Sequence, residues 1–223
     1  MHLIPTEDEV LALLRRTGAL RSGHFAYANG LHSNQHLEAA LALRYHRLAK
    51  TLTVGLSRLL RANPDVRQMI PQLSVVAATV AGLPVAYGLC EALHARQVYW
   101  AEKESPNASL RFPQYLEQAL GEQVLLVDDI LRSGKLLREA HALLESKGCR
   151  VAGVAVLFHQ HTPRTPGFGS LPLFALARLE PGYYADAADC QLCRRGIALE
   201  RVEADEKSEE ALEMLLFAGS SGS

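Results

Sequence analysis

Two adjacent carboxylates, Asp128 and Asp129, stand directly after an apolar run from Val124 to Val127. A run of this length and composition predicts a strand that is buried on both faces of a parallel sheet. Open α/β sheets bind ligands at the carboxyl ends of such strands, where the acidic pair would lie. Carboxylate oxygens suit ribose hydroxyls or a hard cation such as Mg²⁺. The alternative is that the pair only forms a turn that caps the next helix.

A phosphate-binding segment is predicted immediately after the acidic pair. A short loop, Ile130 to Gly134, leads into a pattern with one apolar helical face. The residues Arg132-Ser-Gly-Lys135 would lie at the N-terminus of that helix. Free backbone N–H groups and the helix dipole attract phosphate at such a position. The apolar face comprises Leu136, Leu137, Ala140, Leu143 and Leu144.

Composition limits the class of protein. A chain of 223 residues with 48% hydrophobic content can bury a full α/β core. The net charge of −1 gives no global basic field, so we expect no nucleic-acid partner. No apolar run reaches the roughly 18 residues of a membrane span, and no signal-peptide pattern is present, so we expect no membrane association. Cys90 and Cys149 fall in apolar contexts typical of reduced core residues, and we therefore expect a cytoplasmic protein.

Strands and helices alternate along the chain. The predicted strands, besides the central one, are Leu73 to Ala78, Gln97 to Glu104 and Arg150 to Phe158. Predicted helices cover Arg44 to Ala62 and Val80 to Ala95. This alternation favours an α/β fold, with a parallel sheet and right-handed crossovers.

Three regions are predicted. Residues 1–62 would form a small N-terminal subdomain, which begins with a capping box at Thr6 and Glu9 and a helix stop at Gly18. Residues 63–200 would form the main domain. Residues 201–223 would form a final helix, over 208–217, and a disordered end.

Several motifs, taken in order, resemble the type I phosphoribosyltransferases. The strand, acidic pair and small-residue loop of residues 122–136 are similar to the family's signature for phosphoribosyl pyrophosphate. Thr17 to Ser33, which ends in Asn29-Gly-Leu-His-Ser33, resembles the entry to the orotate phosphoribosyltransferases. Ala101-Glu-Lys-Glu104 is similar to the start of their mobile loop, and Gly169 to Gly196 is similar to their tail. The resemblance spans about residues 12 to 200.

The resemblance implies a fold, a reaction and partners. The fold would be a Rossmann-like parallel sheet with an N-terminal hood and a flexible catalytic loop over Ser105 to Gly121. The protein would be a homodimer whose active sites meet the partner chain. The reaction would be transfer of the phosphoribosyl group from phosphoribosyl pyrophosphate to a nucleobase, with release of pyrophosphate. The expected base is orotate, and the expected cofactor is Mg²⁺.

The resemblance also implies roles for individual residues. Lys103, Asp128 and Asp129 are the expected catalytic residues, and the two aspartates are the expected metal ligands. The base-binding residues would be His32, Ser33, His159 and Gln160. The expected donor-binding residues are Ala81, Gly82, Glu102, Lys103, Arg111, Asp128, Asp129, Arg132, Ser133, Gly134, Lys135 and Leu136.

Five positions depart from the family's pattern: Leu31, Ala81, Arg132, Leu136 and Gln160. Relatives commonly carry Arg at the position of Gln160, where its charge binds the carboxylate of orotate. A neutral amide would hold that carboxylate about tenfold more weakly. We therefore expect either weak orotate activity or a base without that carboxylate. A non-catalytic sensor of the donor or of a nucleotide is the alternative from another functional class.

Two further groups of residues were weighed as metal ligands. His159 and His161 would share one side of an extended segment, but no third ligand is obvious from the sequence. Cys190 and Cys193 form a single Cys-x-x-Cys pair, which is weak support for zinc without a second pair. A loop tie or a subunit contact is the simpler interpretation of the cysteines.

Overall fold

The structure, a computed structural model, describes residues 4–27, 30–105, 108–112, 120–161 and 167–202. The helices are α1 Glu7–Arg16, α2 Ala40–Leu43, α3 His46–Ala62, α4 Pro64–Met69, α5 Leu83–Leu93, α6 Lys135–Ser146 and α7 Gln191–Arg194. The strands are β1 Leu20–Ala26, β2 His32–Leu37, β3 Ser74–Ala77, β4 Gln97–Trp100, β5 Gln123–Leu131, β6 Arg150–Gln160, β7 Leu173–Leu179, β8 Tyr183–Tyr184 and β9 Glu200–Arg201. No helix in these ranges is long and apolar enough to cross a membrane.

A five-stranded parallel sheet forms the centre of the protein. Its strand order is β4-β3-β5-β6-β7, so β5 has a neighbour on each side. Helix α5 connects β3 to β4, and α6 connects β5 to β6, as parallel neighbours require. Buried apolar side chains cover both faces of the sheet and form two hydrophobic clusters. The predicted α/β fold with a parallel sheet is confirmed.

A second, four-stranded sheet has the order β8-β2-β1-β9. Strands β1 and β2 pair in antiparallel fashion. Strand β9 adds to β1 in parallel, and β8 adds to β2 in antiparallel fashion, so the C-terminal part of the chain returns to the N-terminal hairpin. Only two of its strands, β1 and β2, lie in residues 1–62, so the hood expected over those residues stays a prediction.

The N-terminal helices share a hydrophobic core with the large sheet. Leu14 of α1 and Leu56 of α3 are fully buried in the same cluster as Leu125 and Val127 of β5. Thr6 and Glu9 form the predicted capping box, and Gly18 follows the end of α1 with a φ of 74°. The division into regions at residues 62 and 200 stays a prediction, and the helix predicted over 208–217 lies outside the described residues.

The central strand is longer than the sequence pattern predicts. Strand β5 does not end at Val127, because Ile130 and Leu131 still pair with Phe158 and His159 of β6. The predicted loop from Ile130 to Gly134 is therefore reduced to residues 132–134. The prediction is wrong because two acidic residues after an apolar run resemble the end of a strand. Their polar side chains are compatible with a strand when backbone groups and a neighbouring hydroxyl hydrogen-bond to them.

Helices α3 and α5 approach closely at one glycine. A Cβ atom on Gly88 of α5 would lie 2.7 Å from both Cγ2 and Oγ1 of Thr53 on α3. Thr53 cannot easily move aside, because its hydroxyl donates a hydrogen bond to the Ala49 carbonyl at 2.9 Å. Gly88 therefore sets the distance at which α3 packs beside α5.

We predict that Gly88→Ala destabilises the protein. The gain in helix propensity is about 1 kcal/mol, whereas overpacking at a contact this short costs about 1–3 kcal/mol. The free energy of unfolding, measured by urea denaturation, should fall by about 1 kcal/mol. Gly167→Ala is the control, since a Cβ there would meet no atom within 4 Å. Unchanged or raised stability of Gly88→Ala would show that the two helices separate at little cost.

Candidate active site

The acidic pair is buried and oriented by hydrogen bonds. Asp128 and Asp129 are 5% and 3% exposed. Asp128 Oδ1 accepts hydrogen bonds from Thr79 Oγ1 at 3.0 Å and from the backbone N–H of Asp129 at 2.9 Å. Asp129 Oδ1 accepts a hydrogen bond from the backbone N–H of Ile130 at 2.8 Å. The expectation that these groups end the strand at the surface is therefore wrong, because β5 carries them within the sheet.

A glycine at the start of α5 makes room for the first aspartate. A Cβ atom on Gly82 would lie 2.8 Å from Asp128 Oδ1 and 3.2 Å from its Cα, so a side chain there would displace the carboxylate. Ala81, which precedes it, is exposed and has an ordinary negative φ, since His94 is the only non-glycine residue with a positive φ in the described ranges. The alanine is therefore compatible with the backbone of this turn.

The predicted phosphate loop lies between β5 and α6. Gly134 has a φ of 68°, which glycine adopts without strain, and Lys135 is the first residue of α6. Ser133 is buried, and its Oγ accepts a hydrogen bond from the backbone N–H of Lys135 at 3.2 Å. The loop and Asp128 line one cleft. Its lining residues are Thr79, Asp128, Ile130, Arg132, Gly134, Leu136 and Leu137.

Arg132 reaches from this loop to the predicted base-binding position. Its Nε donates to Gln160 Oε1 at 2.7 Å, and its Nη2 donates to the Leu37 carbonyl of β2 at 2.6 Å. Gln160 is fully buried at the end of β6, and its Nε2 has no hydrogen-bond partner among the described residues. The guanidinium charge therefore lies beside the amide of Gln160, the position at which the family resemblance leads us to expect an arginine.

Tyr183 and His159 are partly buried, and Tyr183 lies near Arg132 and Gln160. Burial raises the pKa of Tyr183, and the nearby Arg132 guanidinium opposes part of that rise. Burial, together with Arg178 and His161, lowers the pKa of His159. Neither ring nitrogen of His159 has a hydrogen-bond partner within the described ranges. Both side chains are therefore neutral at pH 7.

Lys103 is held by α6. Its Nζ lies 3.2 Å from Glu139 Oε2, and Glu139 Oε1 accepts a hydrogen bond from the backbone N–H of Leu110 at 2.6 Å. Glu102 and Arg111 form an antiparallel bridge, which brings the two ends of residues 102–111 together. Much of the predicted mobile loop, residues 106–107 and 113–119, lies outside the described residues.

Two of the predicted base-binding residues have local partners. Ser33 is buried, and its hydroxyl exchanges hydrogen bonds with the backbone of Gln35. His32 is 5% exposed, and its Nδ1 lies 2.8 Å from His24 Nε2. Burial and the neighbouring His24 lower the pKa of His32. The ring is therefore neutral and sits against β1.

Sequence reasoning missed several residues at these positions. Thr79, Glu139 and His24 were not singled out, since their partners lie 49, 36 and up to 169 positions away along the chain (residues 128, 103 and 193). Arg132 was expected to bind the donor, and its contact with Gln160 was not expected. The available signal was an unexpected arginine at position 132 together with a missing one at position 160, but its use requires knowing that the two positions touch.

Comparisons with known proteins place this chain in a family. The model of the phosphoribosyl transferase domain matches residues 48–167. The orotate phosphoribosyltransferase of Thermus thermophilus is 32% identical over 194 residues, which is 87% of this chain and 100% of that protein. The orotate phosphoribosyltransferase of Acidithiobacillus ferrooxidans is 33% identical over 198 residues, 86% of this chain and 93% of that protein.

Solved structures support the fold. The crystal structure of orotate phosphoribosyltransferase from Aeropyrum pernix matches with a TM-score of 0.59 and 20% identity, over 76% of this chain and 93% of that one. The crystal structure of Mycobacterium tuberculosis orotate phosphoribosyltransferase matches with a TM-score of 0.55 and 23% identity, over 78% of this chain and 95% of that one. The full length of the curated relatives is covered or nearly so. The chain is therefore an enzyme of the type I phosphoribosyltransferase family, within the group of orotate phosphoribosyltransferases.

Proposed function

We propose that the protein transfers the phosphoribosyl group of phosphoribosyl pyrophosphate to orotate, as the names of its relatives indicate for them. A bond forms between the anomeric carbon and a ring nitrogen of orotate, and the bond from that carbon to pyrophosphate breaks with inversion. The nitrogen loses its proton, and pyrophosphate leaves. The products are orotidine 5′-monophosphate and pyrophosphate, a step of pyrimidine biosynthesis.

The donor site in this proposal is the cleft at the end of β5. The 5′-phosphate would lie at the N-terminus of α6, where backbone N–H groups and the helix dipole stabilise an anion. Asp128 lines the same cleft, so its carboxylate can face the ribose. A negative group there stabilises the positive charge that develops on the ribose as pyrophosphate departs.

Mg²⁺ fits the chemistry of this site. Asp128 and Asp129 offer carboxylate oxygens, the ligands that Mg²⁺ prefers, and Asp128 lines the cleft in which the donor's hydroxyls would lie. These two residues would hold the ion, directly or through water, and the ion would neutralise the pyrophosphate charge. The remaining parts of the proposal, a homodimer with shared active sites and a cytoplasmic location, come from the family resemblance and the free cysteines.

The observation that carries orotate as the substrate is the contact between Arg132 and Gln160. The family's arginine is absent at position 160, but a guanidinium lies 2.7 Å from the Gln160 amide. A carboxylate entering a partly buried pocket needs a cation, and Arg132 supplies one from the phosphate loop. Because Arg132 provides the positive charge that Gln160 lacks, the absence of an arginine at position 160 is compatible with orotate as the substrate. The base-binding role of His159 stays a prediction.

In this proposal the side chain of Lys103 moves between Glu139 and the leaving pyrophosphate. In the structure it pairs with Glu139, and both side chains are partly exposed, so the pair is weak. Release from Glu139 lets the ammonium group approach the leaving pyrophosphate, where negative charge accumulates. Glu139 then acts as the resting partner of the lysine, and Glu102 and Arg111 hold the segment that carries it.

Exchange of Asp128 and Asp129 for Asn tests the donor site. The Asn side chains keep a carbonyl oxygen for the Thr79 hydroxyl and for the backbone N–H donors, so the fold should persist. We expect Mg²⁺-dependent binding of phosphoribosyl pyrophosphate, measured by titration calorimetry, to weaken at least about tenfold. Asp65→Asn, at an exposed position of α4, is the control. Unchanged donor binding in the double variant would contradict the assignment.

Replacement of Lys103 by Ala tests its catalytic role. We expect kcat to fall by about 100-fold, because a cation near the developing charge is lost. The melting temperature should change little, since a partly exposed ion pair contributes about 0–1 kcal/mol. Lys147→Ala, at the exposed C-terminal end of α6, is the matched control. A large fall in melting temperature with unchanged kcat per folded molecule would make Lys103 structural.

Moving the arginine from position 132 to position 160 tests the orotate site. Arg132→Thr should raise the KM for orotate about 10–100-fold, since a hydrogen bond to a charged group contributes about 1.5–3 kcal/mol. The double variant Arg132→Thr/Gln160→Arg returns the cation to the position that relatives use, and it should recover most of that loss. Arg138→Ala, on the exposed face of α6, is the control. A rise confined to the KM for the phosphoribosyl donor, without recovery in the double variant, would assign Arg132 to phosphate instead.

A further inference from the structure

Four metal-binding side chains meet between the small sheet and the C-terminal turn. His24 lies on β1, His32 on β2, Cys190 directly before α7, and Cys193 within α7. One ligand atom from each residue lies within 4.8 Å of all the others. None of the four side chains lines the cleft at the end of β5. The cluster is thus separate from the donor site.

The distances within the cluster match a tetrahedral metal site. Cys193 Sγ lies 3.4 Å from His32 Nδ1 and 3.6 Å from His24 Nε2, and Cys190 Sγ lies 3.5 Å from His24 Nε2. Tetrahedral zinc with bonds of about 2.05 Å to nitrogen and 2.3 Å to sulfur has nitrogen–sulfur edges of about 3.6 Å. His24 Nε2 and His32 Nδ1 are 2.8 Å apart, and metal binding would increase this distance by about 0.5 Å.

The surrounding structure orients the ligands before any metal binds. His24 Nδ1 donates a hydrogen bond to the Ile197 carbonyl at 2.9 Å, which leaves Nε2 as the lone-pair atom facing the cluster. A carbonyl partner of this kind fixes the tautomer of a metal-binding histidine. Asp186 Oδ1 accepts hydrogen bonds from the backbone N–H groups of Ala188 and Asp189, and so shapes the turn that leads to Cys190.

Burial and spacing point to a structural site. His24, His32 and Cys190 are at most 5% exposed, and Cys193 is partly buried. Four protein ligands leave no open position for a substrate, which is typical of structural and not catalytic zinc. Two thiolates balance the charge of a divalent ion, so the closed site would carry no net charge. Two sulfur and two nitrogen ligands in a tetrahedral arrangement favour zinc over harder cations.

The geometry points to a structural Zn²⁺ site formed by His24, His32, Cys190 and Cys193, which ties the C-terminal turn to the β1–β2 hairpin. Without metal, His32 Nδ1 carries the proton and donates it to His24 Nε2. On metal binding, both thiols release their protons to solvent, and the proton of His32 moves through solvent from Nδ1 to Nε2, so that Nδ1 can bind the ion. No redox change is involved. The Cys-x-x-Cys pair, weak as a zinc motif alone, gains its second pair of ligands from two strands far away in sequence. His32 would then serve the metal instead of the base.

Metal analysis of the full-length protein tests this site. We expect about one zinc per chain by mass spectrometry of the purified protein. A strong chelator should remove the zinc and lower the melting temperature, and Zn²⁺ but not Mg²⁺ should restore it, because the metal binds only the folded state. Co²⁺ added to the chelated protein should give the visible absorption of tetrahedral cobalt with thiolate ligands.

Variants locate the site. Cys193→Ser and His24→Gln should each lose most of the bound zinc, whereas Cys90→Ser, on α5, should keep it. Where a variant fails to fold, the Co²⁺ spectrum of the wild-type protein decides. The proposal is overturned by a native Cys190–Cys193 disulfide, or by full zinc content in Cys193→Ser. It is also overturned by a wild-type protein that binds neither Zn²⁺ nor Co²⁺.

Discussion

The pairing of β5 with β6 beyond the acidic residues is the constraint on which the candidate active site depends. Because Ile130 and Leu131 remain hydrogen-bonded to β6, the turn into α6 contains only residues 132–134. A turn this short brings the N-terminus of α6 to the cleft that Asp128 lines. The same pairing brings Arg132 to the end of β6, within hydrogen-bond distance of Gln160. The proposed donor and base sites are thereby joined through a single strand pair.

Electrostatics explains how such a compact site is built. Asp128 and Asp129 are nearly inaccessible to water, and buried carboxylates are stable only with donors around them. Thr79 and two backbone N–H groups supply some of those donors. Gly82 contributes by the absence of a side chain, which leaves space beside Asp128. Each of these features orients or makes room for a carboxylate in the absence of substrate. A substrate bound in the proposed site would therefore meet charges that are already oriented.

The position of a charge matters more than the residue that carries it. The family resemblance leads us to expect an arginine at position 160, where this chain has Gln160. In this chain the guanidinium of Arg132 lies at the carboxyl ends of β5 and β6, beside Gln160, since those strand ends lie side by side. In the small sheet too, strand pairing brings distant residues together. Strands β1 and β2 carry His24 and His32, and the pairing of β8 and β9 with this hairpin brings the turn that contains Cys190 and Cys193 beside them.

The sequence by itself determined the fold class, the family, the helix that follows the acidic pair and the capping box of α1. These features depend on local patterns: an apolar run, a helical period, and side chains three or four positions apart. Tertiary structure decided where β5 ends, which residue faces Gln160, what holds Lys103, and which histidines meet Cys190 and Cys193. Those outcomes depend on contacts between residues 28 to 169 positions apart. No local pattern encodes such contacts, because they arise only when strands pair and helices pack against them.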